Sequence, residues 1–244
     1  MIGRALRMQA NSLSGDIVLL WMLGAAFGMS LLIATGVPPE LIAAPASERA
    51  ALAAPLGTIL AVYGAVLASV YGAFRYTVDR RDGVVAQRLM LQPRRAVLIG
   101  RIPSAAIGGM AVSAASVVGG HAALLAAMGG IPVEWSTLCR TLALGAVAGV
   151  YGLGVGLVVQ SHLLALFIAP MSLGVALLVA TVWPEGAAHL PLFAMLEALG
   201  FDLRAVGLAP SDRLAAPVAA LLAGAWVVIG ILGGGILFLV RDVR

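Results

Sequence analysis

The chain has 244 residues, 61% of them hydrophobic and 11% charged, with a mean hydropathy of +1.05, values that exclude a soluble globular domain. Its formal net charge is +4, but the basic residues crowd into one interval, so they read as membrane topology and not as a nucleic-acid footprint. All fifteen basic residues are arginine; a Walker A phosphate loop needs a lysine, so the chain carries no ATP site of that type. Neither the single Cys139 nor the three scattered histidines define an internal disulfide or a metal site.

Residues 1–15 open the chain with Ile2, Leu6, Ala10 and Leu13 on one stripe and Arg4, Arg7, Asn11 and Ser14 on the opposite one. That periodicity predicts an amphipathic helix lying in the plane of the cytoplasmic interface, its arginines facing anionic headgroups.

A spanning helix needs about 20 mainly apolar residues, because the hydrocarbon layer is about 30 Å thick and each residue rises about 1.5 Å. Six segments meet that length: Ile17 to Gly36, Pro55 to Phe74, Ser104 to Met128, Thr141 to Val159, Leu163 to Trp183 and Leu214 to Val240. The first follows a basic start like a signal peptide, yet its apolar run exceeds the roughly 7–15 residues of a signal core, so it is expected to be retained. The fold class expected is therefore an all-α polytopic membrane protein, a single transmembrane domain over residues 1–244 with six spanning helices. Arg4, Arg7, Arg75, Arg80, Arg81, Arg88, Arg94, Arg95, Arg101, Arg241 and Arg244 fall on one side of this arrangement. Arg49, Arg140, Arg204 and Arg213 fall on the other. The excess places both termini in the cytoplasm of a plasma-membrane protein.

Residues 75–102 form the main cytoplasmic feature. Val85 and Leu89 lie one turn apart, as do Val84 and Arg88, which suggests a short helix with one apolar flank. Asp82 is expected at its N-terminus, where a carboxylate suits the positive dipole end, and Pro93 prevents its continuation. The stripe needs a surface to dock on: lipid, the protein's own spans, or a cytosolic partner. The outer connection, 184–213, places Leu192, Met195, Leu196 and Leu199 on one face and is too short to cross the bilayer. It is read as an amphipathic or re-entrant cap broken by Gly200 and Gly207. Gly145, Gly149, Gly152 and Gly156, with Gly24, Gly28, Gly230 and Gly234, carry the small-residue spacing of close helix contacts, within one chain or between two. No Asp, Glu, Lys or Arg falls in the middle of a predicted span, as an ion-coupled carrier requires, so energy is expected from outside the chain. His121, without a carboxylate beside it in sequence, reads as a packing residue.

This order of parts resembles the membrane subunits of ABC-2 type ATP-binding-cassette exporters over nearly the whole chain. The resemblance rests on Asp82-Gly83, the mixed run Val84 to Leu91, Pro93, Arg94-Arg95 and Gly100-Arg101, together with the fifth span closing at Trp183-Pro184. The chain departs from the family pattern in having Arg80 and Arg81 where acidic residues predominate, and two arginines after Pro93. The resemblance implies a coupling helix at Arg81, Asp82, Gly83, Val85, Arg88, Leu89, Pro93, Arg94 and Arg95, seated in a groove of a separate nucleotide-binding ATPase. It further implies ATP and Mg in that partner, with no cofactor on this chain, and a second permease chain in a homodimer or heterodimer. The cargo expected is a hydrophobic or amphiphilic compound such as a drug, an antibiotic or a lipid-like molecule. Tyr63, Tyr71, Phe167 and Ser172 are the aromatic and polar span residues available to line its path. Two other readings stand beside this one: a haem-exporter B type subunit of cytochrome c maturation, and an ion-coupled carrier or channel.

Overall fold

The structure, a computed structural model, describes residues 2–13, 15–37, 45–51, 53–207 and 214–240. Among them every regular element is a helix. In chain order these are α1 (Ile2–Leu13), α2 (Ile17–Leu31), continued by a 3-10 turn over Leu32–Gly36, α3 (Ala46–Ala51), α4 (Ala53–Arg81), α5 (Val84–Leu91) and α6 (Arg94–Met128). Then follow α7 (Trp135–Val159), α8 (His162–Val182), α9 (Pro184–Ala187), α10 (Pro191–Ala198), a 3-10 turn over Arg204–Val206, and α11 (Ala216–Val240). Five of them, α4, α6, α7, α8 and α11, are long and apolar enough to cross a bilayer, the architecture of a multi-pass membrane protein. The expected first span differs from the other five: only 15 of its residues are α-helical, about 22 Å of rise.

The ends of α4 and α6 revise the expected boundaries. α4 runs past Phe74 to Arg81, and α6 starts at Arg94 instead of Ser104. At 29 and 35 residues they are about 43 and 52 Å long, more than the roughly 30 Å of hydrocarbon. Residues 75–102 are thus a helical hairpin, with α5 lying between the end of α4 and the start of α6. Two backbone features set its corners. Gly83 caps α5 at φ +76, a left-handed conformation that glycine adopts without Cβ strain. Gln92 is extended, as a residue preceding proline prefers, and Pro93 then caps α6. Asp82 is not the cap of α5; its N–H donates to Val78 O at 2.9 Å and so completes the last turn of α4.

Successive helices run in alternating directions, which the contacts at their ends make plain. Asp16 at the start of α2 meets Arg75 near the end of α4, Arg81 at the end of α4 meets His162 at the start of α8, and Arg94 at the start of α6 meets the last carbonyls of α11. At the opposite end Arg140, near the start of α7, meets Gly200. α7 is the central helix, packed on α4, α6 and α11, with α2 against α6 and α8 against α4. A Cβ on Gly152 would strike Ser69 O, and one on Gly72 would strike Gly149 O. Most of the predicted small-residue contacts therefore lie inside one chain, whereas Gly24 and Gly28 have no neighbouring atom within 4 Å of a built Cβ.

α1 lies against α6. Its Gln9 is buried and Arg7 exposed, and Gln92 Nε2 donates to Met8 Sδ at 2.9 Å. The side chains of Ile2, Arg4, Leu6, Ala10 and Asn11, and residues Ser14, Arg213, Arg241 and Arg244, fall outside what is described.

Candidate functional site: the arginine-rich end

Where α1, α2, α4 and α6 converge, four charged side chains are withdrawn from solvent. Arg75 Nε donates to Asp16 Oδ2 at 2.5 Å, and Arg75 Nη1 pairs with Asp79 Oδ1 one turn further along α4. Arg101 Nη2, from α6, donates to the other oxygen of Asp79 at 2.9 Å. Tyr71 OH adds a hydrogen bond to Asp16 Oδ2 at 3.1 Å. Asp16 also accepts from Leu19 N at 3.1 Å and so caps α2 in the manner of an N-terminal carboxylate. The side chains of Asp16, Asp79 and Arg101 are 2%, 5% and 4% exposed; at such burial each charge depends on its partners for the solvation it has lost. Two carboxylates against two guanidiniums make the quartet formally neutral, and the Arg101 guanidinium lies 5.2 Å from the centre of the Tyr76 ring, within cation–π range. These groups, with Gln9, Ser12 and Ser104, border a space of about 20 Å³, enough for one water molecule.

Arg75 and Arg101, counted by sequence toward cytoplasmic topology, are also members of this network, Arg101 from a buried position. The i, i+4 spacing of Arg75 and Asp79 was the available clue. The pairing with Asp16 and Arg101, 59 and 22 residues away, had no local signature.

Beyond the quartet lies the tip. Val85 is fully buried, and Leu89 packs with it against Tyr76, Val97, Leu157 and Phe238. The flank expected to meet a partner, Val85 and Leu89, is thus covered by the protein's own helices. Arg88 is half-buried, and that burial, with Arg101 nearby, pushes its guanidinium below its ordinary pKa. Arg94 is turned onto Phe238 O and Leu239 O at 3.2 and 2.8 Å, where a cation suits a helix C-terminus. The residues facing outward are Arg81, Asp82, Gln87, Pro93 and Arg95, with Met90 and Leu91 at 86% and 73% exposure. Met90 and Leu91 are the tip's exposed large apolar side chains, and helical periodicity alone had not singled out Met90.

The four residues suggested for a path occupy different places. Tyr63 borders a groove of about 340 Å³ with Leu32, Ile33, Pro55 and Met128. Tyr71 belongs to the charge network. Phe167 is exposed on α8, and Ser172 Oγ donates to Ala169 O within its own helix at 2.8 Å. A larger groove, about 530 Å³, runs between α6, α7, α10 and α11 and is lined by apolar side chains including Val147, Val150, Leu199 and Val228.

The opposite end is closed by apolar material. Pro191 through Glu197 of α10 are all buried, and Leu192, Phe193, Met195 and Leu196 share one core with Phe201 and Leu203. Arg140 Nη1 donates to Gly200 O, and Trp226 Nε1 to His189 O, both at 2.9 Å. Glu134, ahead of α7, accepts from Ser136 Oγ at 2.7 Å and Thr137 Oγ1 at 2.8 Å, which holds its carboxyl below the usual carboxylate range. His121 Nδ1 donates to Val117 O at 3.0 Å. Among the described residues no group of three or more His, Cys, Asp or Glu is placed to hold a metal ion.

The fold and this site define a multi-pass helical membrane protein with a charge-locked hairpin at one end. Comparison with protein-family models, with curated proteins and with solved structures found no match.

Proposed function

We propose that the chain is the membrane-spanning subunit of an ATP-driven exporter of the ABC-2 type, moving a hydrophobic or amphiphilic compound outward across the plasma membrane. ATP and Mg belong to a separate nucleotide-binding ATPase, and a second permease chain completes the assembly. The observation that carries this reading is the hairpin: α4 and α6 are longer than the hydrocarbon layer is thick, α5 between them exposes Met90 and Leu91, and Arg81 and Arg95 are exposed on the same hairpin. An exposed apolar pair rimmed by charge fits a protein partner better than free solvent. In this reading α2 and its 3-10 continuation form the first of six spans, about 32 Å in combined rise. The arginine-rich end is cytoplasmic with both termini, and α9 and α10 form the re-entrant outer cap.

The ion-coupled carrier is the second reading, and the buried carboxylates of Asp16 and Asp79 favour it. Each is already paired with an arginine, so neither presents an open cation site, and the exporter reading stands ahead.

Purifying the tagged chain from its native host tests this. A stoichiometric ATPase subunit is expected to accompany the parent chain and to be lost from the double variant Met90→Glu, Leu91→Glu, which leaves the inward-facing Val85 and Leu89 in place. A parent chain that emerges with no nucleotide-binding partner and no ATPase activity overturns the exporter assignment.

A further inference from the structure

We propose that Asp16, Arg75, Asp79 and Arg101 form the joint through which the hairpin tip sets the position of the first apolar helix, α2. The inference takes its purpose from the reading of α5 as the element a partner engages; its physical content is a mechanical coupling within this chain.

α5 packs on α4 and α6, with no substantial packing contact to α2. A displacement of α5 reaches α2 through those two helices, and the Gln92 to Met8 contact gives a second route by way of α1. The short helix is anchored to both by Val85 and Leu89, in the cluster that contains Tyr76 of α4 and Val97 of α6. Asp79 then ties α4 to α6 through Arg101, and Arg75 carries the connection from Asp79 to Asp16. Asp16 is both the far end of this chain of charge-assisted bonds and the cap of α2, so movement of α4 at Arg75 moves the first turn of α2. Charge-assisted hydrogen bonds are short and directional, and these lie among side chains largely withdrawn from solvent, so the connection is stiff. Tyr71, also on α4, holds the same Asp16 oxygen and so ties α2 to α4 a second time.

A network that only stabilises the fold would raise the stability of all parts without linking tip and α2, and a double-mutant cycle separates the two roles. The probe is Gly15→Cys, in the exposed turn between α1 and α2 where a built Cβ meets no atom within 4 Å, in a Cys139→Ser background because Cys139 is exposed. In the full-length chain in lipid nanodiscs, Val85→Ala loosens α5, and maleimide labelling at position 15 is expected to accelerate by roughly fivefold or more, a typical allosteric coupling. Asp16→Asn keeps a good helix cap but removes the charge that Arg75 holds; in that background Val85→Ala should leave the labelling rate unchanged. Leu89→Val serves as a milder tip variant should Val85→Ala fail to fold. Acceleration of equal size in both backgrounds, or in neither, overturns the proposal. This readout requires no partner, so its failure and the absence of an ATPase in the co-purification are separate results.

Discussion

The two ends of the bundle are held by different physics. At the arginine-rich end, beside the apolar cluster around Val85, the helices meet through a formally neutral quartet of charges, three of them buried and Arg75 half-buried, each with a specific partner. At the other end α10 is buried mainly through apolar contacts with α8 and α11, with one buried carboxylate, Glu197, accepting from Leu214 N at 3.1 Å. Apolar packing is non-directional and tolerates small shifts, while a buried ion pair either keeps its geometry or leaves an uncompensated charge. An end built to transmit position suits the second kind of contact, and an end built to close off a bundle suits the first.

Breaking one member of the quartet gives the largest expected effect. Arg101→Met leaves Asp79 buried with one of its two arginines, and a loss of about 3–5 kcal/mol is expected, read as a lowered unfolding midpoint in detergent. A parent-like midpoint would show that Asp79 is satisfied without α6. In the cap, Leu196→Ala removes a fully buried side chain and should cost about 2–5 kcal/mol, the range set by how far the site collapses. Unlike the first variant, its effect should spare the labelling response at position 15. The smallest effect is expected for Arg140→Ala, which removes an exposed hydrogen bond to Gly200 O and should cost about 1 kcal/mol or less. A larger loss would mean that charge, too, holds the apolar end.

Much of the fold was legible because the bilayer imposes a length on every crossing helix. The cores of α4, α6, α7, α8 and α11 fall where hydropathy placed them, since apolar run length is a local property. The extensions of α4 and α6 were missed for the same reason: Arg75, Arg80 and Arg81 look like the end of a span, although helix continues through them. Gly83 and Pro93 did mark the corners of the hairpin, as residues with backbone demands of their own. Which flank of α5 points inward was not legible, because Val85 and Leu89 are equally suited to the protein's own core and to a partner. The charge network joins residues that are apart in sequence, and only the crossing of α2, α4 and α6 brings Asp16 and Arg101 to Arg75 and Asp79.

The glycine contacts described for α7 bear on where any solute could travel. With the backbone of Gly152 against Ser69 and that of Gly72 against Gly149, α4 and α7 leave no lumen between them, and Gly109 against Gly145 shuts the interval between α6 and α7 in the same way. The volumes of about 530 and 340 Å³ are both grooves at the perimeter. Among the described residues these contacts close the middle of a single copy, so a molecule crossing the membrane beside it would move along a wall that lipid or another polypeptide completes.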